Sequence, residues 1–379
     1  MSQSKNKTIS PFRKAFFAML FLLAGLTANA QESSEAVVDA PEVTSEVTSE
    51  EHATEKEGVN LKEMIFGHTG DAYDWHITTI GDTHISIPLL CIVYGQNGLD
   101  VFCSSNLGHE GHYKEYKGYK IAEEGSHAGK IIELATGERP WDFSITKNVA
   151  SLLISCSLLL FIFLSIAKKY KENPRSKPTG MQAFLEPLIV ALHDDIIKPS
   201  VGKNYKKFSA YLLTAFFFIF LNNILGIIPI FPGGANLTGN IAVTLVLATL
   251  TFILTNFRGT GAYWKEIFWP EVPLWLKAPI PIMQFIEILG IFIKPIALCV
   301  RLFANMFAGH TMVLILIGLI FIFGQMSVAA GGAISVLSVL LITFMSLLEC
   351  LVCFIQAYVF TMLSAIFIGM GQAEHEGHE

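Results

Sequence analysis

One apolar stretch of the sequence, from Met283 to Phe323, carries charged residues at a regular interval. Glu287, Lys294 and Arg301 follow one another every seven residues, and on a helix each interval rotates the side chain by only about −20°. Asn305 lies one turn beyond Arg301 and returns to the same line. The spacing therefore predicts a polar stripe along one side of a helix that is otherwise suited to lipid.

Arg301 lies near the middle of this stretch. A central arginine costs at least about 2.5–3.5 kcal/mol on insertion scales, and charges inside a membrane normally face a partner or a water-filled path. Its guanidinium stays protonated, so Arg301 can act on a neighbouring carboxylate through its field but cannot relay a proton. Glu287 and Lys294 lie nearer the end of the stretch, where they can equally be interface anchors with charges that reach the lipid headgroups.

The last apolar stretch adds a second set of polar residues. Glu349 and Gln356 are seven positions apart and share a helical face, while His310 lies about 180° around its own helix from Arg301. Histidine and a partly buried carboxylate can exchange protons near neutral pH, so this set predicts a proton relay. A hydrogen bond between His310 and Glu349 that simply joins two helices is an alternative, and the two roles are compatible.

Five apolar stretches can position these side chains, at residues 149–167, 209–231, 241–256, 283–323 and 333–370. The chain is 52% hydrophobic and only 15% charged, against about a quarter charged in soluble domains. These features predict an all-α polytopic membrane protein. A helix over 283–323 would be roughly 60 Å long against about 30 Å of hydrocarbon, so the stretch must tilt steeply, bend or break, and Pro295 is a position where it can kink. We expect it and its successor to form a long, strongly tilted pair.

Charge at the chain start and in the loops predicts the topology. Residues 1–30 combine a basic start with a short apolar run and Ala28-Asn29-Ala30, which is typical of a cleavable signal peptide, with an uncleaved anchor as the alternative. Lysine and arginine crowd the loops after the first and third stretches, so the mature N-terminus is expected outside and the C-terminus in the cytoplasm. Cleavage would remove four positive charges and change the formal net charge from −6 to −6 − 4 = −10.

The expected domain boundaries follow from composition. After the signal peptide come an acidic linker (31–58), a small extracytoplasmic β-containing domain (59–145), the membrane channel domain (146–372) and a cytoplasmic tail (373–379). The β-like runs of the outer domain are His84–Tyr94, Leu99–Ser104 and Tyr116–Ala122.

Cys91 and Cys103 are equally distant from Asn97 in a glycine-flanked turn. A hairpin that turns there would set them opposite each other in an oxidising compartment, where they can form a disulfide or remain free thiols. The histidines of this domain have no regular ligand spacing, so we expect no metal site and no cofactor. The chain has no GxxxxGK[ST] pattern and no basic patch, which argues against binding of nucleotides or nucleic acid.

The segments that carry these residues resemble subunit a of bacterial F-type ATP synthases. The resemblance covers roughly 146–372 and is most specific at 300–310 (VRLFANMFAGH), with further similarity at 349, 355–360, 221–223 and 236–240. It implies that Arg301 is the essential arginine that faces carboxylates on a rotating ring of c subunits. It places Glu287 near the cytoplasmic exit and associates five residues with the half-channel open to the outside: Asn223, Asn305, His310, Glu349 and Gln356.

The resemblance also implies a function. The chain would be the proton-translocating stator subunit, non-catalytic by itself, in the bacterial inner membrane, with the c-ring, b-type peripheral stalk subunits and the remaining synthase subunits as partners. In the family, an acid and a histidine occupy the positions of His310 and Glu349 in either order. The signal peptide and outer domain depart from most family members, and their role is not implied.

Two rival functions compete with this interpretation. A stand-alone secondary transporter would use Arg301 to bind an anionic substrate at mid-membrane, but the sequence has no internal repeat of the kind such transporters usually show. A scaffold whose membrane segments only anchor the outer domain would have no reason to bury an arginine, a histidine and a glutamate.

Overall fold

The computed structural model describes residues 70–80, 83–96, 98–109, 112–123, 127–172, 177–228, 233–268, 282–326 and 328–372. The predicted signal peptide, acidic linker and C-terminal tail lie outside these ranges. Among the described residues, all strands precede Lys147 and all α-helices follow from it.

The strands form small antiparallel sheets. Their bounds are β1 Asp74–Ile80, β2 Thr83–Pro88, β3 Leu90–Gly95, β4 Gly98–Cys103, β5 Gly108–His109, β6 His112–Tyr113, β7 Tyr119–Ile121, β8 Ile131–Glu133 and β9 Trp141–Asp142. β1 pairs with β2, β5 with β6 and β7 with β8, while β3 lies between β4 and β9. The predicted run His84–Tyr94 is thus two strands, separated at Leu89, whose backbone N–H donates to Ser104 Oγ at 3.0 Å.

The β3–β4 hairpin corrects the expected alignment of the two cysteines. Gly95 pairs with Gly98, so Cys91 lies opposite Phe102 and Cys103 lies opposite Leu90. The turn contains two residues instead of being centred on Asn97, and this shift of one position sends the two side chains to opposite faces of the sheet. Cys91 is buried, Cys103 is exposed, and both are free thiols.

From Lys147 onward most of the described residues lie in helices. Their bounds are α1 Lys147–Glu172, α2 Met181–Ala191, α3 Lys198–Val201, α4 Tyr205–Ile227, α5 Ile241–Phe257, α6 Gly261–Phe268, α7 Ile282–Met326 and α8 Val328–Gly371, with a π-helical stretch at Leu192–Ile197. Four helical segments of the described residues are long and apolar enough to cross a membrane, namely α1, the run from Met181 to Ile227, α7 and α8.

The third predicted span differs from a simple crossing. α5 has only 17 residues. It is long enough to cross a membrane only together with α6, and the two helices are bent by 98° relative to each other. Residues after Phe257 were expected to be a loop, but Gly261–Phe268 is a helix. The bend coincides with a contact to the end of α8, where the Thr260 N–H donates to the Gly371 carbonyl at 2.8 Å.

α7 and α8 are 45 and 44 residues long, so each measures about 66–68 Å at 1.5 Å per residue. α7 runs through Pro295 without ending, so the apolar stretch that could have bent or broken is one continuous helix. The two helices pack antiparallel. Lys294 lies over the Phe367 ring, whereas Asn305, later in α7, bonds Gln356, which is earlier in α8. α4 and α5 cover one side of this pair, and Leu298, Leu302 and Phe360 are buried there.

The strands β1–β9 form what we call the β domain, which is joined directly to the start of α1. The Lys147 N–H donates to the Ala72 carbonyl at 2.9 Å, and the Asn148 N–H donates to the Asp71 carboxylate at 3.0 Å. Burial raises the pKa of Asp71, although the hydrogen bond from the Asn148 backbone opposes that shift. Asp71 therefore satisfies an N–H in the first turn of α1 and fixes the domain to the helix.

Candidate functional site

Arg301 lies on the flank of α7 that the other described residues leave open. Its side chain is exposed, as are those of Ala304 and Ala308 on the same flank. On the opposite flank Leu302 and Met306 are buried against the other helices. The structure thus presents a guanidinium, flanked by small residues, on a surface free to meet another chain.

Asn305 and Gln356 form the first polar contact behind Arg301. Asn305 Nδ2 donates to Gln356 Oε1 at 2.6 Å across the α7–α8 interface. Gln356 is buried, whereas Asn305 lies at the edge of the open flank. The pair links the exposed arginine surface to the interior of the helical bundle.

Glu349 lies two turns before Gln356 on α8 and packs against Gly309 of α7. A Cβ atom at Gly309 would meet Glu349 Oε1 at 2.8 Å and Cδ at 3.1 Å, so the missing side chain makes room for the carboxyl group. Glu349 is 8% exposed, and its Oε1 accepts no hydrogen bond from any described residue. A buried carboxyl oxygen without a protein partner is well suited to accept a proton or to bind water.

Asn223 belongs to a buried polar cluster beside Glu349. Its Oδ1 accepts a hydrogen bond from Thr238 Oγ1 at 2.6 Å, and its Nδ2 donates to the Cys353 carbonyl at 3.5 Å. Asn236 from the same loop as Thr238 donates through Nδ2 to the Met306 carbonyl at 3.3 Å. The α4–α5 connection therefore brings amide and hydroxyl groups onto the α7–α8 pair within a turn of Glu349.

The structure does not bring every predicted residue together. Glu287 is fourteen positions before Arg301 on the same helix, or about 21 Å along its axis. Near that end of α7 lies a cleft lined by Thr255, Asn256, Tyr263, Lys294 and Phe367, among others. His310 follows Gly309 and is partly buried, so it lies next to the position where α7 meets Glu349.

Two contributors emerge from the structure rather than from spacing. Gly309 has no polar group and gives no chemical signal in a sequence, and only the cross-helix register reveals its contact with Glu349. Thr238 lies in a segment that is similar to a known family, but its bond to Asn223 depends on how the loop folds back.

Comparison with known proteins gives two matches along the chain. Residues 149–369 match the family model of the ATP synthase A chain, and residues 64–148 match a domain of unknown function, DUF8433.

Individual relatives agree with the first of these matches. An ATP synthase subunit a from Pelodictyon phaeoclathratiforme is 44% identical over 245 residues, which is 63% of this chain and 68% of that protein. One from Chlorobium phaeobacteroides is 43% identical over 248 residues, 63% of this chain and 69% of that protein. Since the family model spans more than half of the chain, and includes the helices that carry Arg301, Glu349 and Gln356, this chain belongs to the ATP synthase A chain family.

Proposed function

We propose that this chain is the proton-translocating stator subunit of an F-type ATP synthase and that Arg301 separates two half-channels. The observation that carries the proposal is the position of Arg301, a permanently charged side chain exposed on the open flank of a 45-residue apolar helix. The relatives named ATP synthase subunit a support the same function. The chain performs no catalysis itself; the nucleotide chemistry belongs to partner subunits.

The open flank of α7 is the surface that we assign to the rotating ring of c subunits. A carboxylate on the ring that reaches Arg301 feels a fixed positive charge, which lowers its pKa and releases its proton. The same carboxylate retains its proton when it faces lipid. Ala304 and Ala308 next to Arg301 allow a neighbouring helix to approach closely.

Protons are proposed to reach Arg301 from the outer side through the buried polar groups. Asn223 bonds Thr238 and the Cys353 carbonyl, one helical turn from Glu349. Asn305 with Gln356 continues the path to the open flank. His310 and Glu349 are the groups of this set that can exchange a proton near neutral pH. Glu287, near the other end of α7, is assigned to the cytoplasmic exit.

The orientation proposed for the chain is multi-pass in the bacterial inner membrane, with the N-terminal domain outside and the C-terminus in the cytoplasm. α7 and α8 exceed the roughly 30 Å hydrocarbon thickness about twofold, so they must tilt strongly to remain in lipid. A tilted pair offers a long flank to the ring. The b-type stalk and the remaining synthase subunits are proposed to bind elsewhere on the chain.

The experiment that tests this function compares wild type with Arg301→Ala in inverted membrane vesicles. ATP-driven acidification should be lost in the variant although the complex remains assembled, because without the fixed charge ring carboxylates need not release their protons at the stator. Lys171→Ala is the matched control, since Lys171 is an exposed cation in the last turn of α1, and it should pump like wild type.

The result also separates the stator from a stand-alone transporter. Arg301→Ala vesicles that pump at the wild-type rate would overturn the proposal. Arginine-dependent uptake of an anionic solute in vesicles that lack the other synthase subunits would instead favour the transporter.

A further inference from the structure

One face of the β4–β3–β9 sheet is apolar and exposed. Tyr94 of β3 pairs with Leu99 of β4 and with Trp141 of β9, so the three side chains form a row on one face. Trp141 is 70% exposed and Leu99 is 63% exposed. Apolar side chains this large and this exposed do not belong to the core of their own domain.

Two more rows continue the same face. Side chains two positions apart in a strand share a face, so Val101, Ile92 and Phe143 form the second row, and Phe143 is 57% exposed. Cys103, Leu90 and Ile145 form the third, since the Ile145 N–H donates to the Leu90 carbonyl at 2.9 Å. We call these nine residues the apolar sheet face.

The charged residues of these strands point the other way. Asp142 lies on the opposite face, where it accepts hydrogen bonds from the Tyr73 hydroxyl and the Ser144 N–H. Asp100 also lies on that face and binds Lys117 at 3.0 Å. The apolar sheet face therefore contains no ionisable carboxylate or amine, although it belongs to a domain rich in both.

The chain passes from this face directly into the first membrane helix. Ile145 is the last residue of the third row, and α1 begins two residues later at Lys147. The junction is held by the bonds of Ala72 and Asp71 to the first residues of α1. The apolar sheet face is therefore tied to the start of α1, and its β9 residues lie within about 20 Å of Lys147, at no more than 3.4 Å per residue.

We propose that the apolar sheet face rests on the lipid headgroup region of the leaflet from which α1 enters the membrane. Tryptophan and tyrosine are enriched at this depth because one part of the ring is apolar and the other can form hydrogen bonds to water or headgroups. Leu99, Val101 and Phe143 gain by leaving water, and no charge on the face has to be desolvated. The domain then fixes how deeply α1 is inserted in the membrane and at what angle α1 enters it.

Other occupants fit the face less well. The linker 31–58 contains nine carboxylates and one lysine. Packing it on an uncharged sheet would remove these carboxylates from water without giving them a partner. A second copy of the chain would bury an area on the order of 250 Å² from strand and residue spacings, against about 800 Å² per partner in a stable interface. A lipid surface requires no minimum area, because α1 already holds the domain at the membrane.

The test measures the surroundings of spin labels in the assembled complex, reconstituted into phosphatidylcholine vesicles. One label is attached to Cys103 in a background where the other cysteines are replaced by serine, and a second to Leu99→Cys with Cys103→Ser in addition. The control is Ala135→Cys, an exposed residue in the turn after β8. Collisions with oxygen, which concentrates in lipid, are compared with collisions with a water-soluble nickel chelate.

We expect labels at 99 and 103 to collide at least several-fold more with oxygen, relative to the nickel chelate, than the label at 135. Adding Phe143→Asp should shift label 103 towards the nickel chelate, since a charge on the face opposes its contact with headgroups. Nickel accessibility at 99 and 103 equal to that at 135 would overturn the proposal. Shielding of both labels from both reagents would overturn it as well, because a protein would then cover the face.

The test is independent of the proposed function. ATP-driven acidification by the labelled vesicles reports separately on proton translocation, so failure of the lipid contact and failure of the stator function give different results. Lipid contact at 103 alone would also contradict the proposal, which concerns the whole face from the Cys103 row to the Leu99 row.

Discussion

Asn305 and Gln356 join α7 to α8 through a hydrogen bond of 2.6 Å between their side-chain amides. Asn305 is one helical turn from Arg301, and Gln356 is two turns from Glu349. The bond therefore connects the helix that carries the fixed charge to the helix that carries the buried carboxyl group. It also fixes the register in which the two helices face each other.

The pair is expected to act as one unit in proton translocation. We predict that Asn305→Ala and Gln356→Ala each lower ATP-driven acidification, and that the double variant is no worse than the more damaging single one. A hydrogen bond worth about 1 kcal/mol corresponds to a coupling of roughly fivefold in rate. Rates from the three variants and wild type form a double-mutant cycle, and independent, multiplicative effects would show that the bond has no role.

Gly309 should matter because of the carboxyl group next to it. In Gly309→Ala the new methyl would lie 2.8 Å from Glu349 Oε1, so the carboxyl must move and proton flow is expected to fall about tenfold, equivalent to 1.4 kcal/mol. Gly290→Ala on the same helix is the control, since a Cβ there meets nothing within 4 Å. Both changes favour helix formation equally, and equal proton flow in the two variants would contradict the argument.

Glu349 is predicted to work through its ability to bind a proton. Glu349→Gln keeps the shape of the side chain but cannot exchange a proton, and passive proton flow through vesicles stripped of the catalytic head should fall at least tenfold. Thr343→Val is a matched control on α8, because Thr343 is exposed and bonds only its own helix at the Val339 carbonyl. Wild-type flow in Glu349→Gln would exclude Glu349 from the relay.

Much of the helical architecture could be predicted from periodicity. The seven-residue spacing of Glu287, Lys294 and Arg301 in apolar sequence predicted a helix with these residues along one line, and α7 is a single helix that carries all three. The prediction was possible because both the helical period and the thickness of a bilayer are fixed by physics that does not depend on the rest of the fold.

The remaining features depend on tertiary contacts that a sequence does not display. The bend after α5 coincides with a bond between Thr260 and Gly371, which are far apart in the chain. The partners of Asn223 and Glu349 depend on which helices are neighbours and on their register. The pairing of β3 with β4 differs by one residue from the predicted pairing, because the length of the turn sets which residues pair. A shift of one residue moves a side chain to the other face of the sheet.

Thr238 is predicted to stabilise the helical bundle through Asn223. Thr238→Val removes the hydroxyl that donates to Asn223 Oδ1 at 2.6 Å and leaves a buried amide oxygen without that donor, at a cost of about 1–3 kcal/mol. The thermal midpoint of the solubilised complex should fall by several degrees. Thr214→Val on α4 is the control, because Thr214 is partly exposed and its hydroxyl donates to the Ala210 carbonyl of its own helix. An equal loss in both variants would argue against the Asn223 contact.

The two cysteines of the β domain are predicted to differ in their reactivity. Burial raises the pKa of the Cys91 thiol to about 12, so at pH 8 only about one molecule in ten thousand carries the reactive thiolate. Since a raised pKa withholds the thiolate until high pH, Cys91 should react with N-ethylmaleimide only once the domain is unfolded, whereas the exposed Cys103 should react in the native complex. Mass spectrometry of Cys91→Ser and Cys103→Ser variants, labelled at pH 8 without reductant, assigns the modified site. A pair that reacts only after reduction would show a disulfide, which the opposite faces of the two side chains argue against.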